Sequence, residues 1–243
     1  MFDLKGRTVL VTGSTQGIGF EIARLLAEHG ARVFVHGCSS MEKCAAVCSK
    51  IPHATPVIAN LCEMQEVARL YEQTGDVDIL VLNASVQHKR VWDTFSEAEY
   101  DEQLNCNLKS SYFLIKQYAP AMREQKWGRI VTIGSVNQYR QHPELALYGV
   151  SKAAQSKLVQ NIAPLLAPFG VTVNNVAPGA IETPRNATIC ADPVARAAVE
   201  SAIPCGRFGA PADIAPAVLL LCSNEGAYIT GAELVIDGGL SLV

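Results

Sequence analysis

The sequence predicts an α/β fold, a single domain built on a doubly wound parallel sheet, and three patterns predict it. Short, almost continuously apolar runs alternate with longer stretches of helical period along the whole chain. Runs that are apolar on nearly every residue belong in a parallel sheet covered by helices on both faces. Strand–helix alternation of this kind calls for right-handed crossovers, and no linker, repeat or low-complexity tract divides residues 1–243.

The elements follow in order. Residues 7–12 (RTVLVT) read as a buried strand, and 17–29 as a helix in which Ile18, Ile22, Leu25 and Leu26 recur at three- and four-residue steps. Gly30 stops that helix, and 31–36 (ARVFVH) forms the next strand. Residues 61–73 are helical, and 76–84 (DVDILVLNA) make a third long apolar strand. A long helix crosses 100–124, and GRIVTIGS (128–135) is a strand that ends on Ser135. Residues 148–166 are helical, VTVNNVAP (171–178) is a strand, 213–222 is a helix, and ELVIDGG (233–239) closes the sheet.

Composition removes several classes of function. With 49% hydrophobic and 18% charged residues, the chain has ample material for a core and does not read as disordered. A net charge of −3 without a basic stripe argues against nucleic-acid binding. No apolar run approaches the roughly 18 residues that would span a bilayer, and MFDLKGRTVLVTG does not read as a secretory leader. The eight cysteines are irregularly spaced, with no Cys-x-x-Cys pair, and read as small buried thiols in a reducing cytoplasm. His88 and His142 lack convergent carboxylates in the sequence, so no metal site is expected.

Between the first strand and first helix lies Thr12-Gly13-Ser14-Thr15-Gln16-Gly17-Ile18-Gly19. Glycines there permit a tight turn and a backbone that closely approaches a pyrophosphate. The helix that follows directs free N–H groups and its positive dipole end at that anion. The spacing is G-x-x-x-G-x-G, and its position directly after a buried strand gives it weight as a Rossmann-type dinucleotide loop. An NAD site commonly carries an acid near the end of the second strand. Here the segment is His36-Gly37-Cys38-Ser39-Ser40, with no carboxylate before Glu42. A missing acid and the hydroxyls of Ser39 and Ser40 favour NADP, with NAD the alternative, because no Arg or Lys stands in that segment to pair a 2′-phosphate.

Tyr148-Gly149-Val150-Ser151-Lys152 sets a phenol and an ammonium four residues apart on one helix face. A neighbouring cation favours the phenolate and draws a tyrosine toward acid/base work at neutral pH. Ser135 precedes Tyr148 by thirteen residues, at the carboxyl edge where doubly wound sheets bind ligands.

With these residues the chain resembles the classical short-chain dehydrogenases/reductases nearly end to end. TGSTQGIG matches the family's glycine loop, and Asn83-Ala84-Ser85 stands where the family has Asn-Ala-Gly. Asn107 matches the helix asparagine, and Ser135, Tyr148 and Lys152 complete a catalytic tetrad. Pro178-Gly179-Ala180-Ile181-Glu182-Thr183 matches the segment that holds the nicotinamide amide, and ITGAELVIDGG matches the closing strand and turn. The resemblance implies that Tyr148 moves the proton, Ser135 orients the substrate oxygen, Lys152 holds the nicotinamide ribose and Asn107 fixes a relay water. It implies cofactor contacts at Gly13, Ser14, Gln16, Gly17, Ile18, Gly19, Ser39, Asn60, Leu61, Asn83, Ala84, Ser85, Tyr148, Lys152, Pro178, Gly179, Ile181 and Thr183.

The chain departs from the family pattern twice: Ser85 replaces a glycine, and Asn60 replaces the usual aspartate near the adenine. The segments expected around the substrate are 85–92, 135–142 and 184–205. The first two are rich in Gln87, His88, Lys89, Arg90, Asn137, Gln138, Arg140 and His142, which suits a small polar carbonyl or alcohol such as a sugar acid or keto acid. A 3-oxoacyl-(acyl-carrier-protein) reductase shares the whole motif set, and a non-catalytic dinucleotide-binding regulator is a third reading. The 100–124 helix and the apolar closing segment fit surfaces that pair in family homotetramers.

Overall fold

The computed structural model describes residues 1–243. Its elements run β1 (Thr8–Val11), α1 (Gly17–Glu28), β2 (Arg32–Gly37), α2 (Met41–Cys48), β3 (Ala54–Ile58), α3 (Met64–Thr74), β4 (Ile79–Leu82) and α4 (Glu97–Leu104). They continue with α5 (Ser110–Glu124), β5 (Gly128–Ile133), α6 (Ala146–Leu166), β6 (Val171–Pro178), α7 (Ala187–Ala191), α8 (Pro193–Ser201), α9 (Pro211–Cys222) and β7 (Glu233–Ile236). The seven strands form one sheet in the order β3-β2-β1-β4-β5-β6-β7, and every pairing is parallel. Strand order reverses between β1 and β4, so the loops that leave those strands open a crevice at the carboxyl edge.

Side-chain alternation along the strands fills both faces of the sheet. Val9 and Val11 of β1, Ile79 and Val81 of β4, and Val131 and Ile133 of β5 pack with Ile22 and Leu26 of α1 and Ile214 and Val218 of α9. Leu10, Leu80, Leu82 and Ile130 point the other way, onto Leu70 of α3, Leu114 and Tyr118 of α5, and Val159 and Leu166 of α6. No helix is long and apolar enough to cross a membrane.

Several predicted boundaries shift. The third strand is only Ile79–Leu82, because Asp78 turns its carboxylate to Arg7 and to the Thr8 N–H. The 100–124 helix divides into α4 and α5 around a π-helical turn, Asn105–Lys109. β5 stops at Ile133, and Ser135 instead caps a short 3-10 turn, Val136–Gln138. The closing strand ends at Ile236, since Gly238 and Gly239 take positive φ. The thiols differ from expectation too: Cys44, Cys106 and Cys222 are buried, whereas Cys38 and Cys205 are exposed, and all eight are free.

Candidate active site

The glycine loop is drawn tight by its own backbone. Gly13 sits at φ +63°, and a Cβ there would lie 2.9 Å from Ala84 Cα. A Cβ on Gly19 would lie 2.4 Å from Asn83 Nδ2 and 2.5 Å from the Gly13 carbonyl oxygen. Only glycine permits this approach of α1 to the loop after β4. Gln16 is the residue before α1, its side chain makes no capping bond to the helix, and the first turn carries no acid. The N–H groups of Gly17, Ile18 and Gly19 are therefore open to an anion.

Ser14 braces the loop from inside. Its hydroxyl donates to the Val11 carbonyl at 2.7 Å and accepts from the His36 N–H, while its own N–H donates to the His36 carbonyl. With both polar groups engaged and the residue buried, Ser14 shapes the loop rather than presenting a side chain to a ligand. His36 completes the brace: Nδ1 accepts from the Gly13 N–H at 3.0 Å, so Nε2 carries the proton and donates to the Ala59 carbonyl at 3.0 Å. Burial holds the imidazole well below its ordinary range, at about 4.

Beyond β2, Ser39 is exposed and Ser40 caps α2 by accepting from the Lys43 N–H. The sequence reading found no cation in this region, yet α2 swings Lys43 back so that its Nζ donates to Gln16 Oε1 at 3.2 Å. MEKCAAVC has little apolar periodicity, so the sequence alone predicts neither this helix nor the return of Lys43 to the glycine loop. On the adenine side, Asn60 Oδ1 accepts from the Cys62 N–H, and Leu61 is buried beside it. Asn60 thus closes a side-chain turn of the kind an aspartate makes.

Asn83 ties the β1 and β4 loops together. Its Nδ2 donates to the carbonyls of Thr12 and Gly13, and the N–H groups of Asn83 and Ala84 both donate to Thr12 Oγ1. Across the crevice, Pro178 ends β6, and the Gly179 N–H donates to the Ile236 carbonyl. A Cβ on Gly179 would lie 2.7 Å from Asp237 Cα. Ile181 is buried in a bridge with Gly209, and Thr183 faces Gly17.

Ser135, Tyr148, Lys152 and Asn107 are all buried. Ser135 Oγ accepts from the Asn137 N–H at 3.2 Å, and α6 packs on that turn because Gly149 leaves room for the Asn137 carbonyl. Lys152 Nζ donates to the Ile133 carbonyl at 2.7 Å and to Gln155 Oε1, and lies 5.8 Å from the centre of the Tyr148 ring. Burial, and then the neighbouring Arg185, push this ammonium down to about 7, with Cys106 opposing. Asn107 sits in the π-helical turn, a feature common at functional sites. It donates from Nδ2 to the Val86 carbonyl and Ser151 Oγ, and accepts from the Val86 N–H.

Most of the polar side chains expected around a substrate are held by the protein itself. His88 pairs with Glu102, Lys89 with Glu144 and Arg90 with Glu99, while Gln138 bonds Glu233. Arg185, from the short turn Pro184–Asn186 within the 184–205 segment, is a candidate site residue that no motif singles out. Its guanidinium crosses the crevice to the Ser85 carbonyl and Oγ, both at 2.8 Å, and its Nη1 lies 3.5 Å from Tyr148 Oη. A lone arginine beyond the Pro-Gly segment carries no spacing signal. No group of three or more His, Cys, Asp or Glu comes together in a metal-binding cluster.

Residues 13–241 match a family described as enoyl-(acyl carrier protein) reductase. The chain is 34% identical, over the full length of both, to 3-oxoacyl-(acyl-carrier-protein) reductase FabG of Rickettsia prowazekii. It superposes with a TM-score of 0.94 and 36% identity on an NADP-bound 3-oxoacyl (acyl-carrier-protein) reductase of Agrobacterium tumefaciens, covering 98% of this chain and 95% of that one. A gluconate 5-dehydrogenase of Burkholderia cenocepacia, in complex with NADP and tartrate, matches with a TM-score of 0.92 at 28% identity, covering 100% of this chain and 98% of that one. These matches run over nearly the whole chain and share its fold: the chain belongs to the classical short-chain dehydrogenase/reductase family.

Proposed function

We propose that this protein is an NADP-dependent oxidoreductase that interconverts a carbonyl and a secondary alcohol on a small polar substrate such as a sugar acid or keto acid. The observation that carries the chemistry is the burial of Tyr148 and Lys152 together at the carboxyl edge of the sheet, 5.8 Å from ammonium to ring centre. NADPH supplies the hydride when bound. Tyr148 donates its phenolic proton to the carbonyl oxygen in reduction and takes it back in oxidation. Ser135 hydrogen-bonds the same oxygen and orients it. Lys152 supplies positive potential at the phenol and holds the nicotinamide ribose, and Asn107 fixes the loop at Val86 and a relay water.

The residues fit a dinucleotide. Gly13 and Gly19 let the loop and α1 pack tightly against the loop after β4, and the uncapped N-terminus of α1 offers N–H donors to a pyrophosphate. Absence of an acid after β2, together with Lys43 beside Gln16, supports the phosphorylated cofactor. Two structural relatives are described with NADP bound.

The acid-bearing substrate is supported by Arg185 at the phenol and by the polar lining from Ser85 and Gln87. The second reading, reduction of a 3-oxoacyl group on an acidic carrier, is favoured by the full-length match to a protein of that name. Such a carrier needs cations at the rim: of Lys89, Arg90 and Arg140, the first two are engaged by Glu144 and Glu99, and Arg140 has no carboxylate partner. An NADPH-oxidation screen over sugar acids, keto acids and an acyl thioester separates the two. Turnover of acids alone supports the first, and turnover of the thioester alone supports the second. Tight NADPH binding without any turnover favours a regulator.

A homotetramer fits the exposed Tyr112 and Phe113 of α5, Leu165 of α6, and the apolar C-terminal Leu242 and Val243. The free thiols fit a reducing cytoplasm.

A further inference from the structure

Arg185 is placed where a spare cation is hardest to explain. Arg7, Arg24, Arg90, Arg196 and Arg207 each pair with a carboxylate, while Arg129 is held by backbone carbonyls and Arg123 lies over Phe169, both away from the crevice. Arg185 instead meets four neutral acceptors: the Ser85 carbonyl and hydroxyl, Gln87 Oε1 at 3.3 Å and Tyr148 Oη at 3.5 Å. The acid nearest to it in sequence, Glu182, is taken up by Arg196 at 3.1 Å. Ser85, one of the two positions at which the chain departs from its family's pattern, supplies two of the four contacts across 100 residues of sequence. The guanidinium is thus held at the reacting phenol, with its planar fork facing acceptors that carry no charge. A carboxylate would displace them, because charge-assisted, bidentate pairing to Arg is stronger than bonding to neutral oxygens.

We propose that Arg185 is the receptor for a substrate carboxylate lying no more than one methylene from the reacting carbon, so that the preferred substrate is a short 2-oxo or 3-oxo acid or the corresponding hydroxy acid. This rests on the reading of Tyr148 as acid/base given above. Nη1 lies 3.5 Å from Tyr148 Oη, so an oxygen that accepts the phenolic proton has the guanidinium within reach of its neighbouring group. In a 2-oxo acid that neighbour is the carboxylate itself, and in a 3-oxo acid the carboxylate follows one methylene further on. In the matching ester or thioester it is a neutral carbonyl, which forfeits the charge. Ser85 holds the arginine in the crevice in the absence of an anion and keeps its long side chain from being lost to solvent.

The test has two arms that fail independently. At saturating NADPH, kcat/KM is measured for acetoacetate and 2-oxobutyrate and for their methyl esters, in wild type, Arg185→Lys and Arg185→Gln. Wild type is expected to favour each acid over its ester by at least about tenfold, the glutamine variant to lose that preference, and the lysine variant to keep part of it. Separately, oxalate is titrated into the NADPH complex by nucleotide fluorescence, and its Kd is expected to weaken by about tenfold or more in Arg185→Gln. Arg185 is exposed, so its replacement does not threaten the core. A wild type that prefers the esters, or an acid preference and an oxalate affinity that survive Arg185→Gln, overturns the proposal. If wild type reduces no carbonyl at all while oxalate binding still depends on Arg185, the oxidoreductase reading fails and the anion receptor stands.

Discussion

Lys152 reaches from α6 to donate to the carbonyl of Ile133, at the last residue of β5, over 2.7 Å. This bond fixes the helix that carries Tyr148 to the edge of the sheet, and it does so with a cation that is fully buried.

That burial has a pH signature. The unfolded lysine titrates near 10.5 and the native one near 7, so between those values the unfolded chain binds the extra proton. Stability therefore rises with pH from about 7 to about 10.5, and the cost of the buried charge is fully present below 7. Lys152→Met is expected to flatten this rise. Thermal unfolding of both proteins from pH 6 to pH 10 checks it, and parallel curves would contradict it.

His36 produces a second window at acid pH. Its native value of about 4 lies below the ordinary 6.5, so its stabilising contribution is complete above 6.5 and is lost as pH falls through 6.5 toward 4. Protonation also removes the acceptor for the Gly13 N–H. His36→Gln is expected to weaken the acid slope of stability between pH 6.5 and 4, and to loosen NADPH binding at neutral pH. Denaturant titrations at several pH values read the slope, and an unchanged slope sinks the assignment.

Lys43 is the cation that the segment after β2 lacked in sequence. Lys43→Gln is expected to raise the Kd for NADPH about tenfold while leaving that for NADH within about a factor of two, and to reduce the salt dependence of NADPH binding. Fluorescence titration of both nucleotides measures this. Equal loss for the two would place Lys43 away from the 2′-phosphate.

The legibility of the sequence followed periodicity and contiguous motifs. The buried strands, the glycine loop and the Tyr148–Lys152 pair are local patterns, and their residues fall where local reasoning expects. β3 was missed because Pro56 interrupts it, which is tolerated only because β3 lies at the sheet edge. The split of the 100–124 helix was invisible because a π-helical turn keeps helical composition around Asn107. Ser14 reads as a ligand contact from its place in the loop, yet its partners on β1 and β2 draw it inside. Lys43 and Arg185 depend on crossovers that bring α2 back to Gln16 and the Pro184–Asn186 turn over to Ser85. No spacing rule encodes such long-range meetings.

In the proposed reaction Tyr148 moves the proton. Tyr148→Phe keeps the buried ring on α6 and removes only the hydroxyl. The measurement is kcat on whichever carbonyl the screen identifies, with NADPH Kd taken on the same sample by fluorescence. kcat is expected to fall by about two to four orders of magnitude while NADPH Kd stays within a few-fold of wild type. Turnover near the wild-type rate, with the cofactor bound, would contradict it.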